Sequence, residues 1–555
     1  MSTEPHLSAD RAAALPLPPM AWNAWGDPAL AVSLSDDVSS LLRTLLEITP
    51  GETGEPGEPR VGGAPARAED AVLVPSRLSG VHLKALSAIV GEEYVSVRDG
   101  DRLPRAGGKS TLDLLRRRSA EPQDAPDGVV VPGTEEEIAA VLELCAQQRI
   151  AVVPFGGGTS VVGGLDPVRG AFAAVLSLDL RRFDALLSLD EVSGEAVLGA
   201  GLTGPRAEEL LAERGFELGH YPQSFRFATI GGFAATRSSG QDSAGFGRFD
   251  DMVRGLRVIT PAGVLDLGRG PASAAGPDLR QLFLGSEGVL GIITAVRLRV
   301  HPVPAVKRYE AWTFPDFETG AAALRAAEQQ GTGPTVLRLS DETETAVNLA
   351  MTAKIGAPQE VSGCLAVTVF EGAEETTTAR HELTRAVLLA HGGTSLGEDP
   401  ARGWEHGRFG APYLRDALLD HGALCETLET ATGWSNLARL KSAVTTALQG
   451  ALQATGSTSL VMCHISHVYE TGASLYFTVV AAQRGDAIEQ WQAAKRAASD
   501  AIMANGGTIT HHHAVGTDHR PWMEQEIGEL GAAVLRAVKG AVDPVGILNP
   551  GKLIP

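Results

Sequence analysis

A chain of 555 residues exceeds what one ordinary core organises, so two or more structural units are expected. Its 44% hydrophobic and 21% charged content suits a globular chain, and a net charge of −20 excludes a large nucleic-acid footprint, which needs clustered lysine and arginine. The four cysteines, Cys145, Cys364, Cys425 and Cys463, form no CxxC pair, which argues against a disulfide framework or a zinc site.

Residues 1–20 are rich in alanine and proline and are expected to be disordered. They carry no apolar core of signal-peptide length, and no run of 18 apolar residues follows, so a cytoplasmic protein is expected. Attachment to a membrane surface stays compatible. An N-terminal helical region is expected over 21–125, with an apolar patch at Trp22, Trp25 and 41–46. A mobile loop rich in Gly, Pro and Glu interrupts it at 51–70.

Order begins near residue 127. Val129, Val130 and Val131 read as a short strand. Thr134 and Glu137 read as a capping box, and Ile138, Val141, Leu142 and Cys145 line one helix face. A second strand at 150–153 runs straight into a glycine stretch. Short strands are expected at 173–178, 196–198, 256–260 and 292–300, and a helix at 208–211 with Pro205 in its first turn. Past Pro302 and Pro304 the pattern shifts to longer helices mixed with strands, including a strand at 474–480 and a helix at 486–505. A last helix is expected over Met523–Val542, with Ile527, Leu530, Val534, Leu535 and Val538 on its apolar face.

The glycine stretch is Pro154, Phe155, Gly156, Gly157, Gly158, Thr159 and Ser160. Tight turns without Cβ atoms let backbone N–H groups reach a phosphate, and Thr159 and Ser160 add hydroxyls. Val161 stands where a Rossmann fingerprint needs glycine, and no Gly-Lys-Ser/Thr follows as a P-loop requires. Taken alone, the stretch serves equally well as a structural turn.

PFGGGTSVVGG resembles the pyrophosphate loop of the vanillyl-alcohol-oxidase type of FAD-binding proteins. Three collinear segments resemble that fold's further FAD-contacting stretches: Gln223, Ser224, Phe225, Arg226, Phe227, Ala228 and Thr229; then Thr236, Arg237, Ser238 and Ser239; then Glu287, Gly288, Val289, Leu290, Gly291, Ile292 and Ile293. The resemblance implies non-covalent FAD, since 150–170 contains neither His nor Cys for attachment. It also implies an α+β architecture. A PCMH-type FAD-binding domain of two α+β subdomains spans 126–305. An α/β cap of the FAD-linked oxidase C-terminal type follows at 306–505. The segment 506–555 returns to the FAD side.

Within that superfamily the chain resembles the alkyldihydroxyacetonephosphate synthase family from Trp22-Asn23-Ala24-Trp25-Gly26 almost to its end. The segment from Ser466-His467-Val468-Tyr469 to Phe477 resembles the family's catalytic-tyrosine segment, which places that role on Tyr476. His511, His512 and His513 match its triple histidine, Tyr413-Leu414-Arg415-Asp416 followed by Glu429-Thr430 places substrate binding on Arg415, and Pro334 to Leu339 places a second arginine at Arg338. No metal is expected, because consecutive residues rarely supply three tetrahedral ligands. In an extended chain His511 and His513 would share a face and His512 would point away. On residue grounds alone, Tyr476 is equally a core tyrosine, and Arg338 and Arg415 are equally solvated charges.

The resemblance implies exchange of the acyl chain of 1-acyl-dihydroxyacetone phosphate for a long-chain alcohol through a flavin N5 adduct, in ether-lipid synthesis. Its partners would be a lipid-like phosphorylated ketone and the alcohol, with a homodimer and peripheral membrane contact expected. The sequence departs from the family at Ala514, where a glycine is usual. Its Leu548-Asn549-Pro550-Gly551-Lys552 resembles FAD-linked 2-hydroxyacid oxidoreductases, and no peroxisomal signal ends it. An FAD-linked oxidoreductase of a 2-hydroxyacid or alcohol, and a non-catalytic flavin-binding protein, are the alternatives.

Overall fold

The acidic first turn Glu135–Glu137 and the Thr134 cap start the helix Glu135–Gln148, which buries Ile138, Val141, Leu142 and Cys145. Arg149 closes it in the left-handed region and turns the chain into the strand Ile150–Phe155. Glu137 does not complete a capping box; its carboxylate accepts from the Gly133 amide at 2.6 Å. These elements belong to a computed structural model that describes residues 15–48, 67–119, 121–347 and 362–555.

The expected disordered tail lies outside the described residues up to residue 14, as does the loop over 51–66. Residues 15–20 shorten that tail: Leu15 is buried and its amide donates to Asp101 Oδ1 at 2.7 Å. Ala68–Asp70 form a single 3-10 turn, so the expected loop also stops short of residue 70.

Three sheets organise the described residues that matter for the site. In the first, Ile150–Phe155 and Gly128–Val130 flank Ala174–Asp179 in parallel, and Val95–Ser96 adds an antiparallel edge. The second is a five-stranded antiparallel sheet whose central strand, Ile292–Arg299, lies between Glu195–Gly199 and Val253–Thr260. The third carries the cap. Thr394–Gly397, Val306–Phe314, Cys364–Gly372, Val336–Ser340, Ser459–Ile465, Gly472–Ala482 and Ala423–Gly433 follow one another in antiparallel order.

Alternation splits the cap strands between two environments. Leu475, Phe477 and Val479 enter a core with the helices Phe317–Gln329, Leu437–Ala454 and Ala487–Ala504. Tyr476, Thr478 and Val480 take the other face. A buried ion pair between Arg408 and Asp242, at 3.0 Å, ties the cap to the FAD-binding half. Residues 506–555 run back across that half. Val152 donates to Ile547 O and Asn549 donates to Val152 O, each at 2.8 Å, so the chain's end pairs with the strand that delivers the glycine loop.

The helix Met523–Val542 corrects one expectation. Leu530 is 79% exposed and Val534 is 52% exposed, although both were assigned to its core face. Gly528 (φ 76°, ψ 160°) breaks the helix and separates Ile527 from the rest of the expected face, while Leu530 and Val534 lie on one continuous stretch whose outer side no described residue covers. Ile527, Val538 and Val542 still pack on the core.

His220 shows how the fold buries titratable groups behind the site. Its ring lies 4.8 Å from that of Phe233 and 5.0 Å from that of Phe249, with Nε2 3.0 Å from Ser238 Oγ. Burial, then the field of His512, pushes its pKa down to about 3. The unfolded chain takes up this proton near pH 6.5, so the stability is fully present above that pH and is lost as pH falls towards 3. The urea midpoint of the protein should therefore fall between pH 7 and pH 5. His220→Gln should flatten that dependence by about 2 kcal/mol at pH 5; equal slopes for the two proteins would contradict the assignment.

Candidate active site

A cavity of about 410 Å³ lies between the glycine loop and the open face of the cap sheet. Its floor is Pro154, Phe155, Gly156, Gly157, Gly158, Thr159 and Ser160. The loop packs so closely on the next stretch that side chains are excluded. A Cβ on Gly157 would meet the Phe227 carbonyl oxygen at 2.0 Å, and one on Gly156 would meet Thr229 Oγ1 at 2.4 Å. Gly158 adopts φ +72°, which favours glycine.

The other expected cofactor residues divide. Gln223, Ser224, Ala228, Thr229, Thr236, Ser238, Ser239, Glu287, Gly288, Gly291, Ile292 and Ile293 line the cavity. Phe225, Arg226, Phe227, Arg237, Val289 and Leu290 do not. Arg226 is exposed, and Phe225 stacks on Phe409. Phe227 meets Trp25 edge-on, Val289 and Leu290 sit in the core, and Arg237 pairs with Asp250 at 2.9 Å. Apart from the exposed Arg226, these residues pack away from the cavity.

Expected FAD fits this wall. Gln223 Nε2 and Ser239 Oγ are buried without hydrogen-bond partners, and both belong to cavity-lining residues. Together with the Cβ-free loop they offer unfilled hydrogen-bonding capacity to a dinucleotide. Glu287, in the left-handed region, accepts from the Val515 and Gly516 amides at 2.9 and 2.8 Å, which pins the histidine-bearing segment to the cofactor side.

Register builds the opposite wall. Tyr476 pairs with His464 on one neighbouring strand and with Glu429 on the other. The Tyr476 ring stacks on that of His464 at 4.8 Å, faces His512 at 5.9 Å and meets His513 edge-on at 5.5 Å. Its hydroxyl donates to Thr427 Oγ1 at 3.0 Å, and burial pushes its pKa up to about 12. The Tyr476 phenol is thus held in its neutral form.

Arg338 lies in the cavity wall, where its guanidinium contacts Glu344 and sits 3.0 Å from His464 Nδ1. Burial opposes ionisation of Glu344, yet His464 and Arg338 hold its pKa down at about 2. Arg415, from the helix Ala411–Asp420, is buried and donates to the Lys109 carbonyl at 2.9 Å. The Nε atoms of both arginines are buried and unpartnered. Each cavity-facing guanidinium therefore keeps a donor in reserve for an anionic ligand.

The triple histidine departs from the extended geometry expected of it. His512 and His513 line the cavity, whereas His511 does not. The cause is Glu429, which is fully buried on the strand Ala423–Gly433. Its carboxylate accepts from the backbone N–H groups of His511, His512 and His513 at 2.6, 3.1 and 2.9 Å, and from the Thr510 hydroxyl at 2.6 Å. Three successive amides converging on one anion curl the backbone into a concave turn. Burial works against the charge, but His512, His513 and His511 and the Thr510 bond hold Glu429 well below the usual carboxylate range.

The sequence assigns no role to four residues of this cluster, Glu429, His464, His467 and Tyr469, although Glu429 stands in the motif quoted for Arg415. His467 and Tyr469 stand in the segment quoted for Tyr476, and His464 lies at the period of the cavity-facing strand positions, but only register reveals their shared face. The ligand nitrogens of His467, His511 and His512 lie within 4.8 Å of one another. Both His511 nitrogens are engaged, Nδ1 with His512 Nδ1 at 2.9 Å and Nε2 with the Tyr469 hydroxyl at 2.5 Å, whereas His467 meets the other two rings by stacking and keeps a buried, unpartnered Nδ1.

Known proteins resemble this chain over most of its length. A family model described as "FAD binding domain" matches residues 126–268, and one described as "FAD linked oxidases, C-terminal domain" matches 303–553. The alkyldihydroxyacetonephosphate synthase of Trypanosoma brucei brucei is 31% identical over 96% of this chain and 92% of its own. That of Dictyostelium discoideum is 32% identical over 96% and 93%. A solved structure of an alkyldihydroxyacetonephosphate synthase superposes with a TM-score of 0.80 at 29% identity, covering 96% of this chain and 99% of that one. p-Cresol methylhydroxylase, at 16% identity and a TM-score of 0.64, shares the fold. The chain belongs to the alkyldihydroxyacetonephosphate synthase family and takes FAD as its cofactor.

Proposed function

We propose that this chain is an alkyldihydroxyacetonephosphate synthase, exchanging the acyl chain of 1-acyl-dihydroxyacetone phosphate for a long-chain alcohol. One observation carries the reading: the FAD cradle and a wall bearing Tyr476, His512, His513, Arg338 and Arg415 enclose the same cavity. Bound FAD supplies an electrophilic ring at which the substrate carbon is activated without net electron transfer.

The chain's own residues do the rest. Tyr476 delivers or recovers a proton at the reacting carbon, with neutral His512 and His513 beside it. Burial holds both imidazoles below their ordinary pKa against the opposing field of Glu429, so they are free to accept protons. The reserved N–H donors of Arg338 and Arg415 suit the substrate phosphate and the departing carboxylate. Leu414, Leu418, Met462 and Val480 add an apolar side to the cavity that suits an alkyl chain. The reading includes a homodimer with peripheral membrane contact, and the exposed Leu530 and Val534 suit such contacts.

Incubating the FAD-loaded protein with labelled 1-acyl-dihydroxyacetone phosphate and hexadecanol should yield the alkyl ether and free fatty acid. A yellow, folded sample that forms no ether would overturn the reading. In the same assay Tyr476→Phe should lower turnover by roughly 10²- to 10⁴-fold with FAD content unchanged; wild-type turnover would remove Tyr476 from the chemistry. Glu429→Gln keeps the shape but loses the anion that gathers the histidine turn. It should lower stability by about 2 kcal/mol and turnover by at least about tenfold. Unchanged turnover would mean that the turn holds its shape without the charge.

A further inference from the structure

The exchange proposed above releases a proton at every turnover. The alcohol arrives as ROH, and its oxygen supplies the electron pair of the new carbon–oxygen bond. The ester carbon–oxygen bond breaks with its pair leaving on the carboxylate, which stays ionised at neutral pH. The alcohol's proton must therefore leave a cavity walled by buried groups.

We propose that His512, His511 and Tyr469 form a proton relay that carries this proton out of the site. His512 lines the cavity, and its Nδ1 lies 2.9 Å from His511 Nδ1. His511 Nε2 lies 2.5 Å from the Tyr469 hydroxyl. His511 itself lies outside the cavity lining and is 6% exposed, so it is placed to pass a proton on and not to touch substrate. Tyr469 lies outside the lining as well. It is only partly buried, and it neighbours Arg248, whose side chain is 18% exposed.

The surroundings suit transfer along this line. An imidazole accepts a proton on one nitrogen and releases one from the other. Burial keeps His511 and His512 neutral at rest in spite of the nearby Glu429 carboxylate, so each holds one nitrogen able to accept. The Glu429 carboxylate, at 3.6 Å from His512 Nδ1, offsets the charge while a proton is in transit. His467 stacks on His511 at 5.0 Å and meets His512 edge-on at 5.3 Å, which fixes the orientation of both rings.

The test uses full-length, FAD-loaded protein with acyl substrate and hexadecanol. Wild type is measured first; absence of alkyl product there would count against the proposed function and leave no exchange for a relay to serve. With wild type active, Tyr469→Phe should lower kcat by roughly ten- to hundredfold with KM, FAD content and Tm unchanged. Small diffusible buffers such as imidazole should restore most of that loss, and a bulky buffer should not. His511→Gln, which breaks the relay at its centre, should respond in the same way. Full activity in Tyr469→Phe would overturn the relay, and so would a loss in both variants that no buffer restores.

Discussion

A buried carboxylate that collects three consecutive backbone N–H groups is the constraint on which the rest of the site depends. Without Glu429, nothing would force residues 511–513 to curl, and His512 and His513 would not both face the cavity. The charge survives burial because the amides, the Thr510 hydroxyl and the imidazoles surround it. One strand thus fixes the conformation of a segment about 80 residues further on.

The fold places that constraint against the cofactor through a second carboxylate. Glu287 belongs to the FAD-binding half, yet it holds the amides immediately after the histidines. The cap sheet brings Tyr476 from one strand and Glu429 from its neighbour, and the C-terminal segment brings the imidazoles. The three meet over the glycine loop because the chain's end pairs with the strand Ile150–Phe155. Redox relatives of the fold and this chain thus share a scaffold, while protein groups around the cofactor set the reaction.

Much of this was legible in the sequence wherever one local requirement selects the residue. The tight turn at Gly156 and Gly157 is legible because close approach leaves no room for a side chain, and the helix Glu135–Gln148 because its apolar spacing is unbroken. The histidine turn was not legible, since its curvature is imposed by Glu429 from a distant strand. His464 was missed for the same reason: only the pairing with Tyr476 gives it a place in the site. The last helix misled because apolar spacing shows that residues share a face but not that the face is covered, and Arg237 because an arginine in a cofactor motif also serves as a brace, here against Asp250.

The central claim is that the cavity replaces a carboxylate with an alcohol at one carbon and leaves no net electrons on the flavin. Hexadecanol labelled with ¹⁸O tests it most directly, with the flavin spectrum followed in the same anaerobic sample. The account predicts that the label appears in the ether oxygen of the alkyl product, that the fatty acid is released unlabelled, and that the flavin is oxidised at the end of turnover. Label in the fatty acid, or a flavin left reduced in proportion to substrate consumed, would contradict it.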